Sequence, residues 1–171
     1  MQQIKALEYE GYQFEGAEAS LELLIRARRG QPRHFALEGF RVVVDSRAGA
    51  TTAEATVKIR VGERVVHTAA EGNGPVHALD NALRRALSTC FPQVEQVQLV
   101  DYKVRVLEGD AGTGARVRVL VESSDGQRTW GTVGVSTNIL EASWQALADS
   151  LEYFLQQQAE MARAVGAAQA G

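Results

Sequence analysis

Few side chains in this chain are spaced for chemistry. The three histidines, His34, His67 and His77, fall in a loop, a strand and a helix, and no HxH or HExxH spacing would put two imidazoles on one metal ion. None of Ser20, Ser46, Ser88, Ser123, Ser124, Ser136, Ser143 or Ser150 sits in a GxSxG elbow. Neither GxGxxG nor GxxxxGK[ST] occurs, so a nucleotide site has no support, and nothing calls for a cofactor. Carboxylates such as Glu18, Glu22 and Glu141 read as solvated helix faces, and Trp130 and Trp144 as core anchors. The single cysteine, Cys90, rules out an intrachain disulfide and a multi-cysteine metal site, and reads as a buried thiol at a helix end. An enzyme acting alone is therefore the weakest reading.

Two strand-to-helix junctions remain, Glu71-Gly72-Asn73-Gly74-Pro75 and Gly134-Val135-Ser136-Thr137-Asn138-Ile139. Gly72 and Gly74 let a backbone come close to a ligand or to another backbone. The amides at a helix start suit a carboxylate. Ser136, Thr137 and Asn138 can also simply cap their own helix. Two junctions at equivalent places beside apolar strands favour a small apolar ligand bearing a carboxylate.

The elements that would hold these junctions follow from periodicity. FRVVV (Phe40 to Val44) is an apolar β-branched run, and ATVKIRV (Ala55 to Val61) alternates with period two. Gly62-Glu63 turns the chain into RVVHTAA (Arg64 to Ala70). A helix then starts with Pro75 at its first position, with Val76, Leu79, Leu83 and Leu87 as its stripe and Ala78, Ala82 and Ala86 alongside. Moving the chain by about 64 positions without gaps repeats this unit. Arg41-Val42 falls on Arg105-Val106, Val57 on Val121, Gly62 on Gly126, Thr68 on Thr132, Ala82 on Ala146 and Leu87 on Leu151. The fold class expected is α+β: duplicated βββα units forming two three-stranded antiparallel sheets, each with a helix. The second face of each sheet needs cover from the sister unit or from a second chain, so a homodimer is expected.

Ahead of the repeat, Ala17, Leu21, Leu24 and Ile25 mark one face of a helix that closes with Arg26, Arg28, Arg29, Gly30 and Pro32. The organisation expected is a helical segment over residues 1–32, the duplicated unit over 33–157 and a flexible tail over 158–171. Hydrophobic residues make up 45% and charged residues 23%, a globular balance, and a net charge of −3 gives no case for nucleic acid. No run spans a bilayer and no signal pattern opens the chain, so a cytoplasmic protein without a membrane partner is expected.

EGNGPVHALDNALRRAL (Glu71 to Leu87), LVDYKVRV (Leu99 to Val106) and TVGVSTNILEASWQALADSLEYFL (Thr132 to Leu155) resemble the C-terminal regulatory, LeuA-type dimerisation domain shared by 2-isopropylmalate synthases and citramalate synthases. The resemblance runs through about residues 36–156. IKALEYEGYQFEGAEASLELL (Ile4 to Leu24) resembles the linker to the catalytic barrel, and EGYQFEGAEAS, DYKVRV and GVSTNILEASW lean to the citramalate synthase branch. The resemblance implies a homodimer that binds the end product of its pathway and inhibits a TIM barrel, absent from this sequence, that condenses acetyl-CoA with a 2-oxo acid. Citramalate synthases respond to isoleucine and isopropylmalate synthases to leucine.

Carried over, the effector site comprises Gly72, Asn73, Gly74 and Pro75, then Leu99, Tyr102 and Val106, and then Val135, Ser136 and Thr137. Val117 joins them across the loop Glu108 to Gly114. Amides near Gly74 or Ser136 would take the carboxylate. Backbone carbonyls, the Tyr102 hydroxyl or Asp101 would take the ammonium, and Leu99, Val106 and Val135 the side chain. A leucine sensor and a ligand-free dimerisation module are the competing readings.

Overall fold

The computed structural model describes residues 2–107 and 112–169. Two helices come first, α1 (Gln2–Tyr9) and α2 (Glu18–Arg28). Strands β1 (Ala36–Arg47), β2 (Ala50–Val61) and β3 (Arg64–Gly72) with helix α3 (Pro75–Ser88) form one unit. A 3-10 turn at Pro92–Gln96 leads to β4 (Gln98–Val106), β5 (Val117–Ser124), β6 (Thr129–Ser136) and helix α4 (Ile139–Gln169). The sheets run β1-β2-β3 and β4-β5-β6, antiparallel throughout. The duplicated βββα architecture read from the repeat is the architecture found. Residues 108–111 of the loop before β5 lie outside the described residues, and Gly112–Gly114 make a short 3-10 turn.

The repeat extends to single hydrogen bonds. The Thr68 hydroxyl donates to the carbonyl of Ala82 at 2.8 Å, and Thr132 to that of Ala146 at 2.7 Å. Small residues allow this helix-on-sheet approach: a Cβ on Gly134 would lie 2.0 Å from the Ala142 carbonyl oxygen. The gapless alignment needs one correction. Val57 pairs with Phe40, but Val121 pairs with Tyr102, so β1 and β4 are offset by 62 residues where the other elements are offset by 64. Arg41 is therefore not the counterpart of Arg105. The register shifts at Leu37/Gly39 and Leu99/Asp101 obey the same offset of 62, which makes the bulge part of the duplicated unit.

One core joins the units. Leu79, Leu83 and Leu87 of α3, Val57 and Ile59 of β2, and Leu147, Leu151 and Phe154 of α4 are buried in a single cluster. Trp130 stacks on Phe154 and donates its indole N–H to the Ser150 carbonyl, while Trp144 stacks on Phe40 of the other unit. Both tryptophans are core anchors, as expected. Cys90 is only half-buried at the end of α3. No described helix is long and apolar enough to cross a membrane.

The N-terminal segment covers the outer face of the second sheet. Ala17, Val133 and Val135 form a small core with Tyr12, Phe14, Leu107 and Leu120. The outer face of the first sheet carries Glu54, Lys58, Arg60, His67 and Glu71 instead, all exposed, and needs no cover. α2 closes as expected on Gly30 at φ +78°, where the left-handed turn returns the Gln31 amide to the Arg26 carbonyl. Its buried face differs from the expected one. Ala17 is fully buried and Leu21 and Leu24 are half-buried, but Ile25 is exposed, and Ala19, Ser20, Leu23 and Arg26 carry the contact. The reason is the partner: α2 packs on a polar stripe of α4, which a purely apolar stripe would not satisfy. Residues 158–169 continue α4 as helix.

A Cβ added at Gly131 would sit 1.8 Å from the Gly16 carbonyl oxygen. Gly131→Ala is expected to lower stability by about 1–3 kcal/mol and to make the N-terminal segment more susceptible to limited proteolysis. Urea midpoints and cleavage rates check this.

Candidate functional site

Pairing register decides which candidate side chains share a face, because residues opposite one another across a sheet point the same way. Val106 pairs with Val117, and Val117 with Ser136, so these three make one row across the second sheet. Tyr102 lies opposite Val121 in a parallel row on the same, helix-facing side. Leu99, opposite Ser123, joins that side because the bulge between Leu99 and Asp101 resets the alternation. The Tyr102 hydroxyl meets the Ser143 hydroxyl at 2.8 Å, one turn into α4.

α4 covers β5 and β6 and leaves this side of β4 open. Val104 is 41% and Val106 59% exposed, and Ile139 at the start of α4 is 43% exposed. Val44 in the first unit is similarly open. Two expected members fall elsewhere. Val135 lies opposite Arg118 on the outer face and is buried against the N-terminal segment, so its side chain cannot share a pocket with Val106. Asp101 lies opposite Glu122 on the outer face and forms an ion pair with Lys103, which holds its carboxyl below the usual carboxylate range.

The two junctions differ in their free amides. At the second, the Asn138 side chain accepts from the Leu140 amide at 2.9 Å, and Ser136 accepts from the Asn138 amide at 3.0 Å while donating to Glu141. Thr137 is exposed beside them. That helix start is already capped. At the first, Gly74 is the N-cap with no side-chain hydrogen bond, and Pro75 follows it. The Asn73 amide donates to His77 Nδ1 at 3.1 Å. The amides of Val76 and His77 are thus left for another acceptor.

The glycines of that junction have separate duties. A Cβ on Gly72 would meet the Ala78 amide nitrogen at 2.3 Å, whereas one on Gly74 meets nothing within 4 Å. Gly72 belongs to the packing of α3 on β3, and Gly74 borders open space.

A cavity of about 730 Å³ lies between the N-terminal segment, the start of β1 and α4. Tyr12, Arg33, His34, Trp144 and Asp149 are among its lining, and none of the candidate residues is. Its polar groups already have partners: Arg33 meets Asp149 at 2.7 Å, Arg60 meets Glu38, and His34 Nδ1 lies 3.0 Å from Glu152. Leu99 alone among the candidates borders a separate hollow, beside Arg84 and Val97.

Sequence reasoning missed the polar stripe of α4. Gln145, Asp149, Glu152 and Gln156 recur at helical spacing inside an otherwise apolar helix. That spacing was the available signal. Glu152 is fully buried and accepts from the His34 amide, His34 Nδ1 and Gln156 Nε2. Gln156 Oε1 accepts from Arg26 and Gln31, and Asp149 accepts from Ser20 and Arg33. Burial works against the charge on Glu152, but the hydrogen bonds from His34 and Gln156 outweigh it and hold the carboxyl below its ordinary value. Burial wins at Asp149 and pushes that carboxyl up.

Gly72→Ala is expected to cost about 1–3 kcal/mol of stability, and Gly74→Ala to stay within about 0.5 kcal/mol, in urea unfolding. Glu152 with its depressed value contributes stability above the ordinary carboxylate pKa and loses it as pH falls through the folded value. Glu152→Gln is therefore expected to be less stable than the parent near neutrality, with the gap narrowing in acid. Unfolding midpoints across a pH series check the sign.

Residues 15–155 match the family described as LeuA allosteric (dimerisation) domain. The chain is 52% identical over 164 residues to an (R)-citramalate synthase of Geobacter sulfurreducens, covering 94% of this chain and 31% of that protein. An (R)-citramalate synthase of Aquifex aeolicus is 52% identical over 160 residues, with 92% and 30% covered. A 2-isopropylmalate synthase of Shewanella amazonensis is 37% identical over 114 residues, with 67% and 20% covered. The chain thus spans about a third of the length of the first two relatives. By this match and by its duplicated βββα fold, the chain belongs to the LeuA allosteric (dimerisation) domain family.

Proposed function

We propose that this chain is the isoleucine-sensing, homodimerising part of a citramalate synthase and serves feedback inhibition in isoleucine biosynthesis. The observation that carries the reading is the helix-side face of β4, open at Val104 and Val106, where Leu99, Tyr102 and Val106 share a face with Val117 and Ser136. An apolar side chain fits there, and a second copy of the chain would complete the enclosure that α4 leaves open. The effector carboxylate goes to the uncapped amides above Gly74 and Pro75, from either copy, helped by the helix dipole. Asn73 flanks that place, and Ser136 and Thr137 border the apolar row. Val135 contributes backbone only. The ammonium group takes backbone carbonyls or the Tyr102 hydroxyl, in exchange for Ser143.

Likeness to citramalate synthases supports isoleucine as the effector, and likeness to an isopropylmalate synthase keeps leucine as the second reading. The two amino acids are isomers, so shape alone separates them, by about 1–3 kcal/mol for one misplaced methyl. Residues 1–32 would lead to the TIM barrel that condenses acetyl-CoA with a 2-oxo acid, residues 33–157 would bind the effector, and 158–171 would form a tail. Such an assembly works in the cytoplasm, with the barrel as the partner of this chain. Inhibition then requires that isoleucine bind the active and inhibited states unequally.

Isothermal titration is expected to give saturable binding of isoleucine near one site per chain, with leucine and valine weaker. Gly74→Leu is expected to remove binding and leave the thermal transition in place, because the position is open and its backbone extended at φ −164°. A preference for leucine moves the parent to the isopropylmalate branch, and no heat with any of the three removes the sensor reading.

A further inference from the structure

The second sheet ends at β6, and the N–H groups along that free edge need partners. Two rungs supply them. The Val133 amide donates to the Ser20 hydroxyl at 3.0 Å, and Ser20 donates onward to Asp149 of α4 at 2.8 Å. The Val135 amide donates to Gln145 Oε1 at 3.0 Å, and the same oxygen accepts from the Tyr12 hydroxyl at 2.9 Å. Gln145 therefore joins three elements at one atom: the end of β6, the first turns of α4 and the N-terminal segment.

The sister unit shows what this edge looks like without that segment. Asn81 and Arg85 occupy the positions of α3 that Gln145 and Asp149 occupy in α4. They donate directly to the carbonyls of Glu71 and Ala69, the counterparts of Val135 and Val133. In the first unit the helix serves its own edge alone. In the second, donors have been replaced by acceptors, and each acceptor is shared with a residue from the N-terminal segment. Tyr12 continues into the aromatic contact with Phe14 and the turn at Gly11, whose carbonyl accepts from Arg118.

We propose that Gln145 is the positioning residue through which occupancy of the effector site is felt by the N-terminal segment. This rests on the isoleucine-binding reading above. Ser136, the residue after Val135, borders the proposed apolar row, so a ligand there fixes the end of β6 and with it the Val135 amide. A fixed amide holds Gln145 Oε1, and that oxygen holds the Tyr12 hydroxyl. Gln145 touches no ligand in this scheme. It acts through the backbone of Val135 and the side chain of Tyr12.

Hydrogen exchange of the chain, with and without saturating isoleucine, tests the proposal. Binding is measured separately by titration. In the parent chain isoleucine is expected to slow exchange of amides in residues 10–17 by roughly fivefold or more, the low end of ordinary coupling factors. Gln145→Leu, and Tyr12→Phe as the variant that removes only a hydroxyl, are expected to bind isoleucine still but to show less than about a twofold change in that segment. A parent chain that binds isoleucine without slowing these amides overturns the proposal, as does a full response retained in both variants. Absence of binding to the parent chain overturns the sensor reading itself, and the coupling with it.

Discussion

Helix α4 must bury Glu152 and Gln156 along with its apolar residues, and that requirement governs the placement of α2 and the loop through His34. A buried carboxylate is costly unless several donors surround it, and removing one partner costs more than the pair contributes. Glu152 obtains its donors from His34 and Gln156, and Gln156 in turn engages Arg26 and Gln31. Among the described residues no buried side-chain nitrogen or oxygen lacks a partner. The N-terminal segment therefore completes the core of the second unit. A segment read as a linker is, in packing terms, part of the domain, and the family match beginning at residue 15 agrees with that.

The duplication explains both the regularity and the exceptions. Both sheets keep a threonine on the third strand bonded to a helix carbonyl, and both keep the bulge in the first strand. The units then diverge on their outer faces. Leu120, Val133 and Val135 make the second sheet apolar there, while Thr56, Ala69 and Glu71 stand at the matching positions of the first. That difference lets one sheet accept the N-terminal segment and leaves the other to solvent. On the helix side, β1 at Val44 and β4 at Val104 and Val106 remain open, the arrangement expected where another surface completes the packing.

Much of this was legible in the sequence. Period-two runs located the strands, Gly62-Glu63 marked its turn, and Pro75 and Gly30 marked a helix start and a helix end. The ungapped repeat revealed the architecture but misplaced β1 against β4 by two residues, because an alignment scored on residue identity sees Arg41-Val42 and Arg105-Val106 and not the strand pairing. The candidate ligand residues were reachable only through resemblance, since Leu99 and Tyr102 share a face by virtue of a bulge that no alternation rule predicts. The polar stripe of α4 is visible at its spacing, but carboxylates on helices usually face solvent, and spacing alone does not show that this one is buried. What decides such a case is the presence of donors more than a hundred residues away, which local patterns do not encode.

That separation sets an order of events. Tyr12 and Gln145 lie 133 positions apart, Ser20 and Asp149 129, and Arg26 and Gln156 130. Within this chain the N-terminal segment is made before β5, β6 and α4, on which it packs, so the first βββα unit can form while that segment is still undocked. Docking then becomes a late step, gated by completion of the last helix. The segment settles only once the second sheet and its helix stand behind it.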